Sequence, residues 1–183
     1  HARTVLGGYR SAPSYDHVKT AVRSVGCPVL LNGNVTSFES ANNLRELTGS
    51  HGVMIGRSAI RNPWIFRQIR ESQNGEEVFC PTLSDVYDYV VDLYDSIEKP
   101  EIEERKNVGR MKKFLNFVGL SVDAEGQFLH LMRRTQSKKD LFEVCAHYLL
   151  REGREGQFYN LEPFEGLVAR PSSESSYSTC QLG

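Results

Sequence analysis

The chain has 183 residues, with 22 Lys and Arg against 23 Asp and Glu, and 39% of its residues are hydrophobic. This composition is typical of a folded globular protein of one or two domains, and it excludes a disordered tail, a collagen and a disulfide miniprotein. The formal net charge of -1 means that any affinity for nucleic acid must come from a local basic patch, and no apolar run approaches the roughly 20 residues that cross a bilayer.

Residues 14–70 alternate amphipathic helices with short apolar strands. The predicted elements, in chain order, are a helix over Tyr15–Val25, a strand over Cys27–Leu31, a helix capped by Ser37 and ended at Gly49, a strand over Val53–Ile55, and a helix with Pro63 in its first turn. Short apolar strands without alternation are typical of a parallel sheet that is buried on both faces. This zone is therefore predicted to be α/β.

After a polar stretch, only helical periodicity remains. We expect a linker at 74–82, a helical domain at 83–158 and a loose tail at 159–183, whose Ser-rich end cannot bury enough apolar surface to become ordered. The predicted helices are one capped by Ser84 and reaching Ile97, a basic helix from about Ile102 to Val118, and two more over Ala124–Arg133 and Ser137–Glu152.

Two consecutive strands end in glycine turns. Asn32, Gly33 and Asn34 follow the first strand, and Gly56 and Arg57 follow the second. Glycine allows a ligand to approach the backbone closely, and a guanidinium can bind an anion through two hydrogen bonds. Taken singly, each turn is also an ordinary connection, but as neighbours they predict a phosphate site.

His1 and Arg3 precede the first helix, in the position of another strand end. Residues two apart on an extended segment point the same way, so both side chains could face one ligand. The alternative is that a chain-terminal His is simply exposed.

The predicted basic helix carries a charged stripe. Lys106, Arg110 and Lys113 follow an i, i+4, i+7 spacing on one face, and Val108 and Met111 belong to the opposite face. Such a stripe is usually a solvated surface, but here it stands out from acid-rich flanks. A polyphosphate such as RNA is the competing interpretation.

The four cysteines, Cys27, Cys80, Cys145 and Cys180, have no CxxC spacing and no His at zinc-ligand distance. They predict neither a metal site nor a disulfide framework. We therefore expect a reducing compartment, the cytoplasm, with an organelle as the alternative. Cys27 is predicted to be a buried thiol at the start of its strand.

The strings His-Ala-Arg-Thr at 1–4, Cys-Pro-Val-Leu-Leu-Asn-Gly-Asn at 27–34 and Gly-Val-Met-Ile-Gly-Arg…Asn-Pro-Trp-Ile-Phe at 52–66 resemble the tRNA-dihydrouridine synthase family. The resemblance is good over about residues 1–72 and weaker to about 155. The family more often has Asp at the position of Asn34 and Gly at that of Ser58.

This resemblance implies the carboxyl-terminal portion of a TIM (β/α)8 barrel over residues 1–73, followed by an α-helical bundle that binds tRNA. It also implies FMN as cofactor, NADPH as reductant, and reduction of tRNA uridine to 5,6-dihydrouridine. His1 and Arg3 would end strand six and face the flavin. Asn32, Gly33 and Asn34 would end strand seven; Gly56 and Arg57 would end strand eight and hold the phosphate.

The family's catalytic Cys has no counterpart in this chain, so we expect residues 1–183 to be a fragment, inactive alone and weak in FMN binding, of a monomeric parent enzyme without a metal. Two alternatives stay open. One is another FMN-dependent barrel oxidoreductase, of the dihydroorotate dehydrogenase type. The other is a stand-alone helical RNA-binding module.

Overall fold

A computed structural model of the chain describes residues 1–4, 6, 11–154 and 156–168. Within this part, the chain divides into two compact units, the first formed by residues 1–79 with Val168 and the second by residues 80–167. The boundary falls inside the segment 74–82. Among the described residues, no helix is long and apolar enough to cross a membrane.

The first unit alternates helices and strands, as predicted. Its elements are α1 (Tyr15–Ser24), β1 (Leu30–Asn32), α2 (Phe38–Thr48), β2 (Gly52–Met54), α3 (Arg57–Arg61) and α4 (Ile65–Asn74). The two strands are parallel, with Leu30 opposite Gly52 and Asn32 opposite Met54. A parallel pair requires a crossover, which α2 supplies.

Local signals set the ends of α2. The Ser37 side chain accepts a hydrogen bond from the Ser40 N–H, while the Ser40 side chain accepts one from the Ser37 N–H, and Gly49 ends the helix with φ 68°. Both ends agree with the sequence-based prediction, because a capping box and a left-handed glycine depend only on neighbouring residues.

The sheet differs from the prediction in two respects. Leu31 is buried against the helices, but Leu30 and Met54 are 61% and 53% exposed, so the opposite face of the pair is open. Cys27, predicted to be a buried strand residue, is exposed, because the strand begins only at Leu30, where pairing with Gly52 starts. Strand bounds follow the partner strand and cannot be deduced from the apolar run alone.

The second unit is helical, with α5 (Leu83–Ile97), α6 (Glu104–Val118), α7 (Gln127–Met132) and α8 (Lys138–Leu149). Thr82, not Ser84, caps α5: its hydroxyl accepts from the Asp85 N–H, and the Asp85 carboxylate accepts from the Thr82 N–H. The helix α7 begins three residues later than predicted, because the Asp123 carboxylate accepts hydrogen bonds from the N–H groups of Gln127 and Phe128.

Residues 159–167 pack onto the second unit, whereas the sequence predicted a loose tail from 159. Tyr159 is 3% exposed and its hydroxyl donates to the Val118 carbonyl at 2.7 Å. The Phe164 N–H donates to the Leu120 carbonyl at 2.8 Å. The buried ring of Tyr159 and the backbone hydrogen bond of Phe164 stabilise this segment. The Ser-rich residues 169–183 lie outside the described part of the chain.

Candidate functional site

The carboxyl ends of β1 and β2 lie side by side. Asn32 is opposite Met54 in the parallel register, and the Asn32 side-chain amide donates to the Met54 carbonyl at 2.9 Å. The turn at Gly33 and the turn at Gly56 therefore leave the same edge of the sheet from neighbouring strands. The predicted adjacency of the two turns is confirmed.

The first turn has an unusual backbone. Gly33 has φ 141° and Asn34 has φ 50°, both in the region that L side chains rarely adopt. A Cβ on Gly33 would lie 3.2 Å from the Ala2 Cβ, and the Tyr15 hydroxyl donates to the Gly33 carbonyl at 3.2 Å. Glycine is needed at position 33 both for its φ and for this close approach.

Residues 1–3 lie beside β1. The Ala2 N–H donates to the Asn32 carbonyl at 2.9 Å, which adds a third neighbouring segment to this edge. Arg3 donates from Nη2 to Asn34 Oδ1 at 2.9 Å and from Nε to the Ser11 carbonyl at 2.7 Å. His1 is exposed, and its Nδ1 accepts from the Arg3 N–H at 3.0 Å. Thus Arg3 holds the first turn in place.

The second turn is open. Gly56 is exposed, no side chain caps α3 there, and a Cβ on Gly56 would meet no atom within 4 Å. Arg57, half-buried, is the first residue of α3. The segments 32–37 and 55–62 contain no acidic residue, so the two turns offer hydrogen-bond donors and positive charge without a competing carboxylate of their own. This donor set fits a phosphate group.

A buried arginine that the sequence analysis did not single out joins the two loops. Arg61, the last residue of α3, is 3% exposed, and its Nη2 donates to the Thr36 carbonyl at 3.0 Å. An arginine in a polar loop normally suggests a solvated surface. No local pattern distinguishes it from Arg57, four residues earlier.

A second buried polar contact follows at Asn62. This side chain is fully buried, and its Nδ2 donates to Gln68 Oε1 at 2.7 Å, while Gln68 Nε2 donates to the Phe79 carbonyl at 2.8 Å. These bonds fix the end of α3 against α4. Among the described residues, no group of three His, Cys, Asp or Glu side chains is arranged to hold a metal ion.

The basic helix α6 has the two faces that its sequence predicted. Val108, Met111, Leu115 and Val118 are at most 1% exposed. On the other side, Lys106 and Lys113 are exposed and Arg110 is half-buried. Lys106 Nζ lies 3.4 Å from Glu103 Oε2, a pair in which both side chains are mostly exposed and which costs little to break.

Another lysine of α6 has a structural role. Lys112 Nζ donates to the Arg133 carbonyl at 3.1 Å and to the Thr135 carbonyl, and burial followed by the charge of Arg105 lowers the pKa of its ammonium group. Arg133 in turn donates from Nε to Asn116 Oδ1 at 2.7 Å. These contacts bring the exposed Arg133 next to α6. The sequence analysis did not identify Arg133 as a neighbour of this helix.

Comparison with known proteins gives one family match and several relatives. The family model described as dihydrouridine synthase (Dus) matches residues 1–151. A probable tRNA-dihydrouridine synthase of Rickettsia conorii is 33% identical over 98 residues, which are 53% of this chain and 30% of that protein. A tRNA-dihydrouridine(16) synthase of Neisseria meningitidis serogroup A is 27% identical over 144 residues, 79% of this chain and 42% of that protein.

A tRNA-dihydrouridine synthase B of Pseudomonas putida is 39% identical over 87 residues, 47% of this chain and 26% of that protein. The chain thus spans less than half the length of each of these relatives. The family match covers the first unit up to residue 79 and continues into the second as far as residue 151, and it includes the two glycine turns and the basic helix.

Proposed function

Because the chain belongs to the dihydrouridine synthase family, we propose that the protein containing it reduces uridine in tRNA to 5,6-dihydrouridine, with FMN as cofactor and NADPH as reductant. The relatives named above are tRNA-dihydrouridine synthases. The single structural observation that carries the proposal for this chain is the parallel pairing of β1 with β2, which puts the turns at Gly33 and Gly56 side by side.

In this proposal, β1 and β2 are the seventh and eighth strands of a TIM barrel, and residues 1–3 end the sixth. The hydrogen bond from Ala2 to Asn32 supports that order. The exposed Leu30 and Met54 support it too: they share the face opposite to the helix-covered Leu31, where the side chains of a closed barrel fill the interior. The second unit then corresponds to the family's helical domain.

Gly33, Asn34, Gly56 and Arg57 would hold the FMN phosphate. Arg57 supplies charge and directed donors, while the two glycines allow close approach of the phosphate to the backbone. Asn32 and His1 would lie at the same strand edge, on the side toward the flavin ring. Bound FMN would supply hydride-transfer chemistry between NADPH and the uracil 5,6 double bond.

The residues of this chain would bind and orient the cofactor. Arg3, through its hydrogen bond to Asn34, would hold the first turn in place for the phosphate. Preformed turns spend less binding energy on ordering, and so hold the cofactor at a fixed distance from the substrate.

Lys106, Arg110 and Lys113 would contact the tRNA backbone, and Arg133, which is bonded to Asn116 of α6, adds a further exposed cation to the second unit. The exposure of Lys106 and Lys113, the partial exposure of Arg110 and the buried apolar face of α6 on the other side support this role. Contacts of this kind fix the position of an RNA and make binding salt-dependent.

The test uses the longest natural protein that contains this chain. Purified protein should carry FMN, and with NADPH it should form dihydrouridine in unmodified tRNA, detected by mass spectrometry of nucleosides. An Arg57→Gln variant should release FMN at lower dilution than the wild type, and Arg23→Gln, an exposed residue of α1, serves as control. Protein that contains no flavin and forms no dihydrouridine would refute the proposal.

A further inference from the structure

Arg61 stands at the end of α3 opposite to the open turn at Gly56. Its guanidinium is almost entirely buried, and Nη2 reaches the Thr36 carbonyl at 3.0 Å. Thr36 itself is 1% exposed. A buried guanidinium carries a large desolvation cost, so its hydrogen bonds must be well placed for the folded state to tolerate it.

The acceptor belongs to a rigid part of the chain. The N–H groups of Thr36 and Ser37 both donate to Ser40 Oγ at 2.9 Å, and Ser37 begins α2 with its capping box. Arg61 therefore donates its hydrogen bond to the residue directly before the N-cap of α2, where the loop after β1 ends.

The two turns are consequently joined on both sides. Before the turns, Asn32 and Met54 pair across the strands. After the turns, Arg61 joins the end of α3 to the loop after β1 at Thr36. Between these two connections lie Gly33 and Gly56, whose separation determines whether both can contact one anion.

We infer that Arg61 is a positioning residue for the phosphate monoester of the flavin: it fixes the spacing of the turns at Gly33 and Gly56, and so gives the site its preference for FMN over the unphosphorylated riboflavin. The inference rests on the proposed function. Its guanidinium also adds a buried positive charge to loops that contain no acidic residue, which favours an anion between them.

The two flavins separate positioning from general stability. Riboflavin carries the same ring without the phosphate, so a change confined to the phosphate site alters FMN affinity and leaves riboflavin affinity unchanged. The experiment uses the flavin-free form of the longest natural protein that contains this chain. The dissociation constants of FMN and of riboflavin are each measured by the quenching of flavin fluorescence on binding. The variants are Arg61→Met, Arg61→Lys and, as control, Arg23→Met on the exposed surface of α1.

For Arg61→Met, the ratio of FMN to riboflavin affinity should fall about tenfold, the effect of losing a hydrogen bond from a charged group. Arg61→Lys, which keeps a charged donor, should recover part of the ratio, and Arg23→Met should keep it all. If Arg61→Met does not fold, Arg61→Gln replaces it, because its shorter amide does not reach Thr36; the ratio must fall there as well.

An unchanged ratio in a folded Met or Gln variant overturns the inference, and so does an equal loss of both flavins. If the wild type binds riboflavin as tightly as FMN, both the inference about Arg61 and the proposed phosphate site are wrong. If the wild type discriminates and the variants discriminate equally, only the role of Arg61 fails.

Discussion

Arg3 donates a hydrogen bond of 2.9 Å to the side chain of Asn34, a non-glycine residue held at φ 50°. Asn is one of the few L residues that accept this backbone conformation at modest cost. The same side chain thus satisfies the turn geometry and anchors the turn to residues 1–4. Asp at this position would keep both properties and add an ion pair with Arg3.

Two substitutions at Asn34 separate these contributions. Asn34→Gly removes the hydrogen bond but suits the positive φ, whereas Asn34→Ala removes the bond and adds about 1–2 kcal/mol of backbone strain. We expect Ala to lower the free energy of unfolding more than Gly, by less than that full amount because glycine gives the unfolded chain additional entropy, and urea denaturation measures the difference. Equal losses in the two variants would show that the backbone relaxes out of the left-handed region.

Two glycines, one inside α6 and one directly after its last residue, should respond to alanine with opposite signs. A Cβ on Gly119 would lie 2.5 Å from Leu129 Cδ2 and 2.8 Å from Phe128 Cδ1, both buried. Gly119→Ala should therefore destabilise the second unit by about 1–3 kcal/mol.

Gly109 is the matched control for this prediction. It lies in the interior of α6, is exposed, and a Cβ there would meet nothing within 4 Å. Gly109→Ala should stabilise by about 0.5–1 kcal/mol, because it reduces the entropy lost when the helix forms. Thermal unfolding of both variants checks the pair, and a destabilised Gly109→Ala would contradict the described surface of α6.

Glu71 makes the stability of the first unit depend on pH. Its carboxylate accepts from the Phe79 N–H at 2.7 Å and pairs with Arg67 Nε at 2.5 Å, and these two contacts, in that order, hold its pKa below the ordinary value. A carboxyl whose pKa is lowered on folding stabilises the protein above its unfolded pKa, and that stabilisation is lost as the pH falls through the folded pKa.

Glu71→Gln should accordingly reduce the free energy of unfolding at neutral pH. The difference from the wild type should shrink as the pH falls below the unfolded carboxyl pKa of about 4.3, and it should disappear below the lowered pKa of the folded state. Urea unfolding at several pH values measures it. Glu46→Gln, at an exposed position of α2, is the control for the removal of one carboxylate. A difference of the same size at all pH values would mean that charge is not what Glu71 contributes.

Charge reversal on α6 tests the RNA surface. The triple variant Lys106→Glu, Arg110→Glu, Lys113→Glu should weaken tRNA binding and reduce the slope of log affinity against log salt by about one per lost phosphate contact. The control reverses the same total charge on the first unit, at Lys19, Arg23 and Arg70. Equal weakening by both triple variants would assign the effect to net charge instead of to α6.

Local sequence signals predicted much of this fold correctly. The caps at Ser37 and Gly49 depend on residues within about one helical turn, and the apolar face of α6 depends on the periodicity of a single helix. The sequence analysis assigned the N-cap of α5 to Ser84, and this was wrong. Thr82 is the N-cap, and its spacing from Asp85 is that of a capping box, which the sequence already contained. The glycine turns were likewise recognised from their own residues.

The residue types of the site were determined by the sequence alone: glycine, asparagine and arginine after two apolar strands, and a basic stripe on an amphipathic helix. Tertiary structure alone decided which of them touch. Arg3 contacts Asn34, which is 31 positions away in the sequence, and Arg61 contacts Thr36, which is 25 positions away. Likewise, the tertiary structure leaves Cys27 exposed and buries Tyr159. Periodicity reports burial along one element, but contacts so distant in the chain arise only when separate elements pack together.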